Sequence, residues 1–320
     1  MDRLELIKRN TQEVIGEERL NEILKRKEVS CYCGYETSGE IHLGHLVTIS
    51  KLLDLQKAGV KVKVLFADWH TWLNRKGDWD FIHKQVNVWK KGFIAAGLKK
   101  AQFVLGSKFQ RKIEYIDDVL IMSLNTTISR ALRSMQVVAR DIEHARVSQV
   151  IYPFMQVADI KHLNVDLVVA GLDQRKIHMM GVDGLFKEIN YKTPIFIHTP
   201  IITSLSGPGS KMSSSDKGSF ISIRDSDKDI KEKINRSYCV AGEIENNPVL
   251  EILKLIIFPR IKSFEIKRDK RFGGDLIFNN YDEVELLFKE KGVHPADLKK
   301  AIGEELIKVI TPIRNVFNKA

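Results

Sequence analysis

Two stretches of this chain hold side chains suited to gripping phosphate. In Cys31 to Leu46 (CYCGYETSGEIHLGHL), His42 and His45 stand three residues apart, soon after a Ser38-Gly39 turn. In Gly207 to Gly218 (GPGSKMSSSDKG), two lysines and four serine hydroxyls occupy a run nearly devoid of apolar residues. Imidazole, hydroxyl and ammonium groups all donate hydrogen bonds to phosphate oxygens. Either stretch alone has an ordinary explanation: a His-x-x-His pair fits two structural or surface histidines, and a polar loop fits an idle linker. Together they describe a polyphosphate site with a fixed side on a helix start and an adaptable side on an exposed loop.

The histidines need a scaffold, and the hydrophobic periodicity supplies one. Cys31, Cys33 and Tyr35 alternate with Tyr32 and Gly34 as in a strand, whereas Leu43, Leu46, Ile49, Leu52, Leu53 and Leu55 recur at helical spacing. A strand feeding a Gly-containing turn and a helix start gathers unpaired backbone N–H groups and the positive end of the helix dipole. Further strands are expected at Val60 to Ala67, Ala101 to Leu105, Asp166 to Gly171 and Pro194 to Ile202, with helices at 80–96 and 110–140. This alternation is that of an α/β doubly wound parallel sheet. Residues 2–27 read as two short amphipathic helices around Gly16.

Ligands of an open parallel sheet sit at the C-terminal ends of its strands, which selects Tyr32, His70, Asp173 and Gln174. Tyr152, Gln156 and Asp159 add a polar stripe, at spacings of four and three, to an otherwise apolar helix. Beyond about Ser226 the pattern is helical (227–237, 248–258, 281–292 and 295–316), with a loop or short hairpin over Ile261 to Phe278. The expected organisation is a catalytic domain over residues 1–225, ending in the serine-rich loop, and a smaller all-helical domain over 226–320.

HLGH (His42, Leu43, Gly44, His45) and KMSSS (Lys211 to Ser215) resemble the two signature motifs of class I aminoacyl-tRNA synthetases. The whole chain resembles the tyrosyl-tRNA synthetases of archaeal and eukaryotic type. Ser214, where many class members carry a second lysine, is the form of the archaeal branch. The resemblance implies a Rossmann-like catalytic domain and a two-step reaction: ATP activates L-tyrosine as an adenylate, and the tyrosyl group then passes to tRNA(Tyr). It implies that His42, His45 and Lys211 act on the reacting phosphates, with Gly44, Asp173, Lys211 and Ser214 binding ATP. Tyr32 and Asp159 are expected to bracket the tyrosine hydroxyl. Tyr152, Gln156 and Gln174 are expected at its amino group, with Glu36 and His70 close by; for His70, a plain buried histidine is an equal alternative. Arg133, Arg175 and Lys176 resemble residues that meet the acceptor stem, and Phe272, His294 and Asp297 resemble anticodon readers, although HPxDLK also fits a simple helix start. Magnesium is expected to accompany ATP, with no dedicated protein metal site and no tightly bound cofactor. A homodimer is implied, and the helix around Leu124 to Val138 is the expected interface.

Composition bounds these expectations. A chain of 320 residues with 43% hydrophobic and 29% charged content is an ordinary soluble balance, enough for one large or two ordinary domains. A formal charge of +10 fits a polyanionic partner, as does a merely solubilising surface. Three cysteines without paired metal-ligand spacing point to reduced thiols and away from zinc. The start MDRLELIKRN has no apolar core, and no run approaches a membrane span, so a cytoplasmic protein is expected. Two alternatives stay open: a tryptophanyl-tRNA synthetase, which shares both motifs, and a synthetase-derived RNA-binding protein without catalysis.

Overall fold

The computed structural model describes residues 2–136, 144–213, 216 and 218–318. The chain forms two compact units. The first comprises Met1–Gly39, Lys51–Lys91 and Leu98–Pro200; the second comprises Glu40–Ser50, Gly92–Gly97 and Ile201–Ala320.

The first unit is built on a six-stranded sheet: β1 (Glu13–Ile15), β2 (Ser30–Tyr35), β3 (Lys61–Phe66), β4 (Gln102–Leu105), β5 (Leu167–Gly171) and β6 (Ile195–Thr199), in the order β1-β6-β5-β2-β3-β4. All neighbours are parallel except the edge strand β1, which runs antiparallel to β6. The expected parallel strands are therefore present, each within a residue of its anticipated ends except β6, which stops at Thr199, three residues before the expected Ile202. Their apolar runs, such as LVVA in β5, are buried as a sheet covered on both faces requires. From β2 the chain winds outward to β3 and β4 and later to β5 and β6 on the other side. The order reverses between β2 and β5, so a crevice opens at their C-terminal ends.

Two expectations need correction. Residues 13–15 form a strand and not part of a helix, because Glu13, Val14 and Ile15 pair with His198, Ile197 and Phe196. An edge position bonded on one side needs no long apolar run, so its three residues carry no periodic signal. The region 110–140 is not one helix: Ile113–Leu124 ends at Asn125, and Thr127 caps a second helix, Ile128–Met135, by accepting the Arg130 N–H.

The second unit begins with the segment carrying His42 and His45. The Leu43 N–H donates to the Ile221 carbonyl at 3.1 Å, and the Ile223 N–H donates to the Ile41 carbonyl at 3.0 Å. Its remaining helices are Asp227–Arg236, the run from Pro248 through Ile257, Tyr281–Lys289 and Pro295–Asn318. Ser226, Asn247 and Asn280 cap the first three, each satisfying backbone N–H groups that the helix cannot. The span 261–278 is a hairpin, β7 (Phe264–Ile266) against β8 (Leu276–Phe278). Buried Ile230, Ile234, Leu253, Ile302, Leu306 and Ile310 form the apolar faces of these helices.

Candidate functional site

In the first unit the predicted polar face of the helix Val147–Leu163 is present. Tyr152, Gln156 and Asp159 are all buried on it. Asp159 is held by two residues that the sequence did not single out: Gln110 Nε2 donates to its Oδ1 at 2.7 Å, and the Tyr115 hydroxyl donates to the same atom at 2.9 Å. Its Oδ2 lies 3.6 Å from His70 Nε2. His70 is buried, packs edge-on against Tyr152 with centroids 4.5 Å apart, and leaves Nε2 without a hydrogen bond. Tyr32, the third residue of β2, is 3% exposed and lies over Gly34, where a Cβ would meet its ring at 3.3 Å. Glu36, just past β2, accepts from Asn74 at 2.9 Å, pairs with Lys76, and is hydrogen-bonded to Tyr152.

The pocket is arranged to keep its groups neutral. Burial lowers the His70 pKa to about 3, so the ring carries no charge. Burial pushes the Asp159 carboxyl up to about 8 against the pull of the Gln110 and Tyr115 hydrogen bonds, and the buried Asp68 carboxylate adds to the rise. Burial and the Asp159 charge raise the Tyr32 phenol in turn. Whether Oδ2 of Asp159 carries a proton or a charge, it can pair with a phenol, which both donates and accepts.

A raised carboxyl has a stability consequence. Below the unfolded value of 3.8 Asp159 is protonated in both states and its contribution is fully present; as pH rises to about 8 the native state holds a proton that the unfolded chain has released, and stability falls. Asp159→Asn, which cannot titrate, is therefore expected to gain on the wild type across that window, by on the order of 4 kcal/mol between pH 4.5 and pH 8. Urea unfolding of both proteins at pH 4.5 and pH 8 checks this. A mutant-minus-wild-type difference that is constant with pH overturns it.

At the end of β5, Asp173 and Gln174 follow Gly171. A Cβ on Gly171 would lie 2.6 Å from Asp173 Oδ1, so the glycine makes room for the carboxylate to fold back at the strand end. Gln156 Nε2 donates to Gln174 Oε1 at 3.3 Å and meets His178 Nε2 at 3.3 Å. Behind it, His178 Nδ1 is 2.9 Å from His198 Nε2, and His198 Nδ1 is 3.0 Å from Glu13 Oε2. Glu13 is also the carboxylate that Arg175 grips with Nε and Nη2. Arg175 and Lys176 are exposed at the start of their helix, and Lys176 donates to Gln136 at 2.6 Å; Arg133 is exposed on the helix Ile128–Met135.

In the second unit the His42 and His45 rings touch with centroids 4.0 Å apart and planes tilted by 50°. The Gly44 N–H donates to His42 Nδ1 at 3.1 Å, and the His42 N–H donates to His45 Nδ1 at 3.1 Å. With Nδ1 accepting, a neutral ring carries its proton on Nε2, the geometry of a donor. Burial, and then the Lys211 charge, hold the His42 pKa down to about 4, so this ring is neutral. A Cβ on Gly44 would meet His42 Cε1 at 2.9 Å, so glycine is needed here to seat the histidine.

The serine-rich loop is less loose than its composition suggests. Lys211 forms a bridge with Thr203, the buried Met212 donates its N–H to the Ile202 carbonyl at 3.0 Å, and the Ser219 hydroxyl donates to the Ser213 and Asp216 carbonyls. Lys211 itself is exposed. Ser214 lies outside the described residues, as does the end of the expected interface helix at Val138.

Of the expected anticodon readers, Phe272 lies in the hairpin loop, and His294 and Asp297 lie at the start of the helix Pro295–Asn318. Phe272 is 67% exposed. Arg268 donates to the Gly274 carbonyl at 2.9 Å and to the Gly292 carbonyl at 3.2 Å, tying the hairpin tip to the turn before His294. His294 Nδ1 accepts the Ala296 N–H at 3.1 Å, so the plain helix-start reading of HPxDLK is fulfilled whatever else these residues do.

A model of the class I tRNA synthetases for tryptophan and tyrosine matches residues 24–311. The chain is 50% identical to the tyrosine–tRNA ligase of Methanocaldococcus jannaschii, over 98% of this chain and 99% of the relative. It is 47% identical to that of Methanosarcina mazei, over 99% of this chain and the whole relative. The crystal structure of the tyrosyl-tRNA synthetase complexed with L-tyrosine from Archaeoglobus fulgidus superposes with a TM-score of 0.95 at 46% identity, covering 98% of both chains.

Proposed function

The chain belongs to the class I tRNA synthetases for tryptophan and tyrosine, and from that premise we infer that it is the ligase that activates tyrosine with ATP and charges tRNA with it. The observation that carries tyrosine over tryptophan is the buried Asp159, with Oδ1 engaged by Gln110 and Tyr115, Oδ2 3.6 Å from His70 Nε2, and the Tyr32 phenol within reach of its charge. An indole N–H can donate to that carboxyl but cannot accept from it, whereas a phenol does both and so also pairs with Asp159 in its protonated form. ATP–pyrophosphate exchange run with tyrosine, tryptophan and phenylalanine tests the reading: stimulation by tyrosine alone is expected, and stimulation by tryptophan, or by none of the three, overturns it.

The chemistry asks little of acids and bases. The tyrosine carboxylate attacks the α-phosphate of ATP, a new C–O–P linkage forms, and pyrophosphate leaves with the electron pair. Alignment and stabilisation of charge on the phosphates lower the barrier. His42 and His45 are proposed to donate from Nε2 to the phosphates, Lys211 to meet the pyrophosphate, and Asp173 to take a ribose hydroxyl. Gly44 is proposed to let adenine approach the backbone besides seating His42. Magnesium enters with ATP as its counterion.

For the tRNA, Arg175 and Lys176 with Arg133 are proposed to meet the acceptor stem, and Phe272, His294 and Asp297 the anticodon, with a ring to stack on a base and a carboxylate to accept from a guanine edge. Arg175→Ala is expected to blunt discrimination at the first acceptor pair and Asp297→Ala at the anticodon, by about 5- to 100-fold each. Charging of tRNA variants altered at one end or the other checks this. An equal loss on all variants would reduce both residues to nonspecific contacts.

Ile113, Ile116, Leu120 and Leu124 are exposed on one face of their helix and Ile128 follows them, so the apolar stripe starts upstream of the expected Leu124 to Val138 segment. A second copy is proposed to cover it. Sedimentation that finds only monomer at micromolar concentration would leave the stripe uncovered and refute the dimer. Among the described residues no helix is long and apolar enough to cross a membrane.

A further inference from the structure

Gln156, on the helix Val147–Leu163, and Gln174, just past β5, sit against a chain of groups whose two buried histidines play no direct part in the chemistry above. From the pocket outward the order is Gln156, His178, His198, Glu13 and Arg175, with contacts of 3.3, 2.9 and 3.0 Å before the bidentate ion pair. His178 and His198 are buried and stack with centroids 5.2 Å apart and planes 13° from parallel. The far end fixes the direction of every hydrogen bond in this chain.

An ionised carboxylate can only accept. Arg175 holds Glu13 below its ordinary value, so Glu13 is ionised and His198 Nδ1 must carry the proton. Burial holds both imidazoles below their ordinary value, so each is neutral and has one N–H. His198 Nε2 is then an acceptor, so His178 Nδ1 must donate to it. That leaves His178 Nε2 as an acceptor, and the Gln156 atom 3.3 Å away must be the amide nitrogen. The other N–H of the same amide is directed to Gln174 Oε1 at 3.3 Å. Both amide hydrogens are therefore spent inside the protein, and Gln156 Oε1 accepts no hydrogen bond among the described residues.

We propose that Glu13, through His198 and His178, is a positioning residue that locks the Gln156 amide with its oxygen presented as the acceptor for the substrate α-ammonium. Without that lock the amide can turn over and present N–H groups to a cation, which repels it. The inference rests on the tyrosine-activating reading of this pocket. Its origin explains why an otherwise unremarkable three-residue edge strand is built into the sheet: pairing Glu13 with His198 across β1 and β6 sets the carboxylate at the end of the chain of rings.

The test compares two ligands that differ only in the amino group, L-tyrosine and 3-(4-hydroxyphenyl)propionate, by calorimetry without ATP or tRNA. Two variants are used. Glu13→Ala removes a partly exposed carboxylate, and His198→Phe keeps a ring in the stack but ends the relay while leaving the Glu13–Arg175 pair. In both, the dissociation constant for tyrosine is expected to rise about tenfold, the worth of one hydrogen bond to a charged group, while that for the propionate changes less than about twofold. Equal weakening of both ligands, or no change in either, overturns the relay, since general damage to the pocket does not distinguish an amino group. A wild-type protein that fails to bind tyrosine would instead overturn the tyrosine reading itself, so the two failures are separable.

Discussion

Replacing Lys211 by alanine is expected to slow formation of the adenylate by about 10²- to 10³-fold while tyrosine affinity stays within about twofold, the usual size of the loss when one donor to developing charge is removed. Lys211 is exposed at the edge of a loop whose base is pinned through Thr203, Met212 and Ser219, so its backbone is anchored while its side chain reaches solvent. Its field already reaches His42, whose pKa it helps to lower. A phosphate placed near His42 therefore also feels Lys211, and two donors of different kind converge: a neutral imidazole held rigidly by Gly44, and a cation on an adaptable arm. Such a cation contributes most where negative charge grows, on the departing pyrophosphate, so the loss should fall on the rate of the bound complex and not on ground-state binding of the amino acid. Single-turnover measurement of tyrosyl-adenylate formation, beside equilibrium binding of tyrosine, separates the two. A drop in tyrosine affinity with an unchanged rate would remove Lys211 from the transition state.

Much of this arrangement is legible in the sequence, and the limits of that legibility have physical causes. The switch from period two to period 3.6 between Tyr35 and Leu43 locates the strand, turn and helix because both elements bury one or more apolar faces, and Cys31, Cys33, Leu43 and Leu46 are all buried. The polar stripe of Tyr152, Gln156 and Asp159 is visible because three polar groups interrupt an apolar helix at helical spacing. Gln110 and Tyr115 left no such trace. They reach Asp159 from 49 and 44 residues away in sequence, so only the fold brings them to it. Glu13, His178 and His198 were missed for the same reason, compounded by the shortness of β1. The tight seat of His42 over Gly44 belongs to a third kind: the HLGH spelling requires a small residue there, but the atom it makes room for becomes visible only in three dimensions.

Tyr32 and Asp159 together are expected to set the choice of tyrosine over phenylalanine. A buried carboxyl oxygen and a phenol that lose a hydroxyl partner cost about 1–3 kcal/mol each, which is roughly 5- to 150-fold per group in the ratio of kcat/KM values. In the double variant Asp159→Ala with Tyr32→Leu, both groups are gone, so that ratio should collapse towards one and larger apolar or para-substituted side chains should be activated. The geometry adds a consequence for stability. Asp159 Oδ1 is the acceptor for both Gln110 Nε2 and the Tyr115 hydroxyl, so alanine at 159 takes one partner from each, leaving them the His70 ring and the Met155 carbonyl, and the protein is expected to lose about 0.5–1.5 kcal/mol for each. A lower unfolding midpoint and a smaller active fraction are therefore built into the experiment. They do not blur it, because phenylalanine and tyrosine compete for the same folded molecules and the active fraction cancels in their ratio. Pyrophosphate exchange with both amino acids on the double variant decides the matter. If the variant keeps the original preference for tyrosine, the hydroxyl is read by other groups, and the pocket around Asp159 serves to hold the sheet end together and not to choose the substrate.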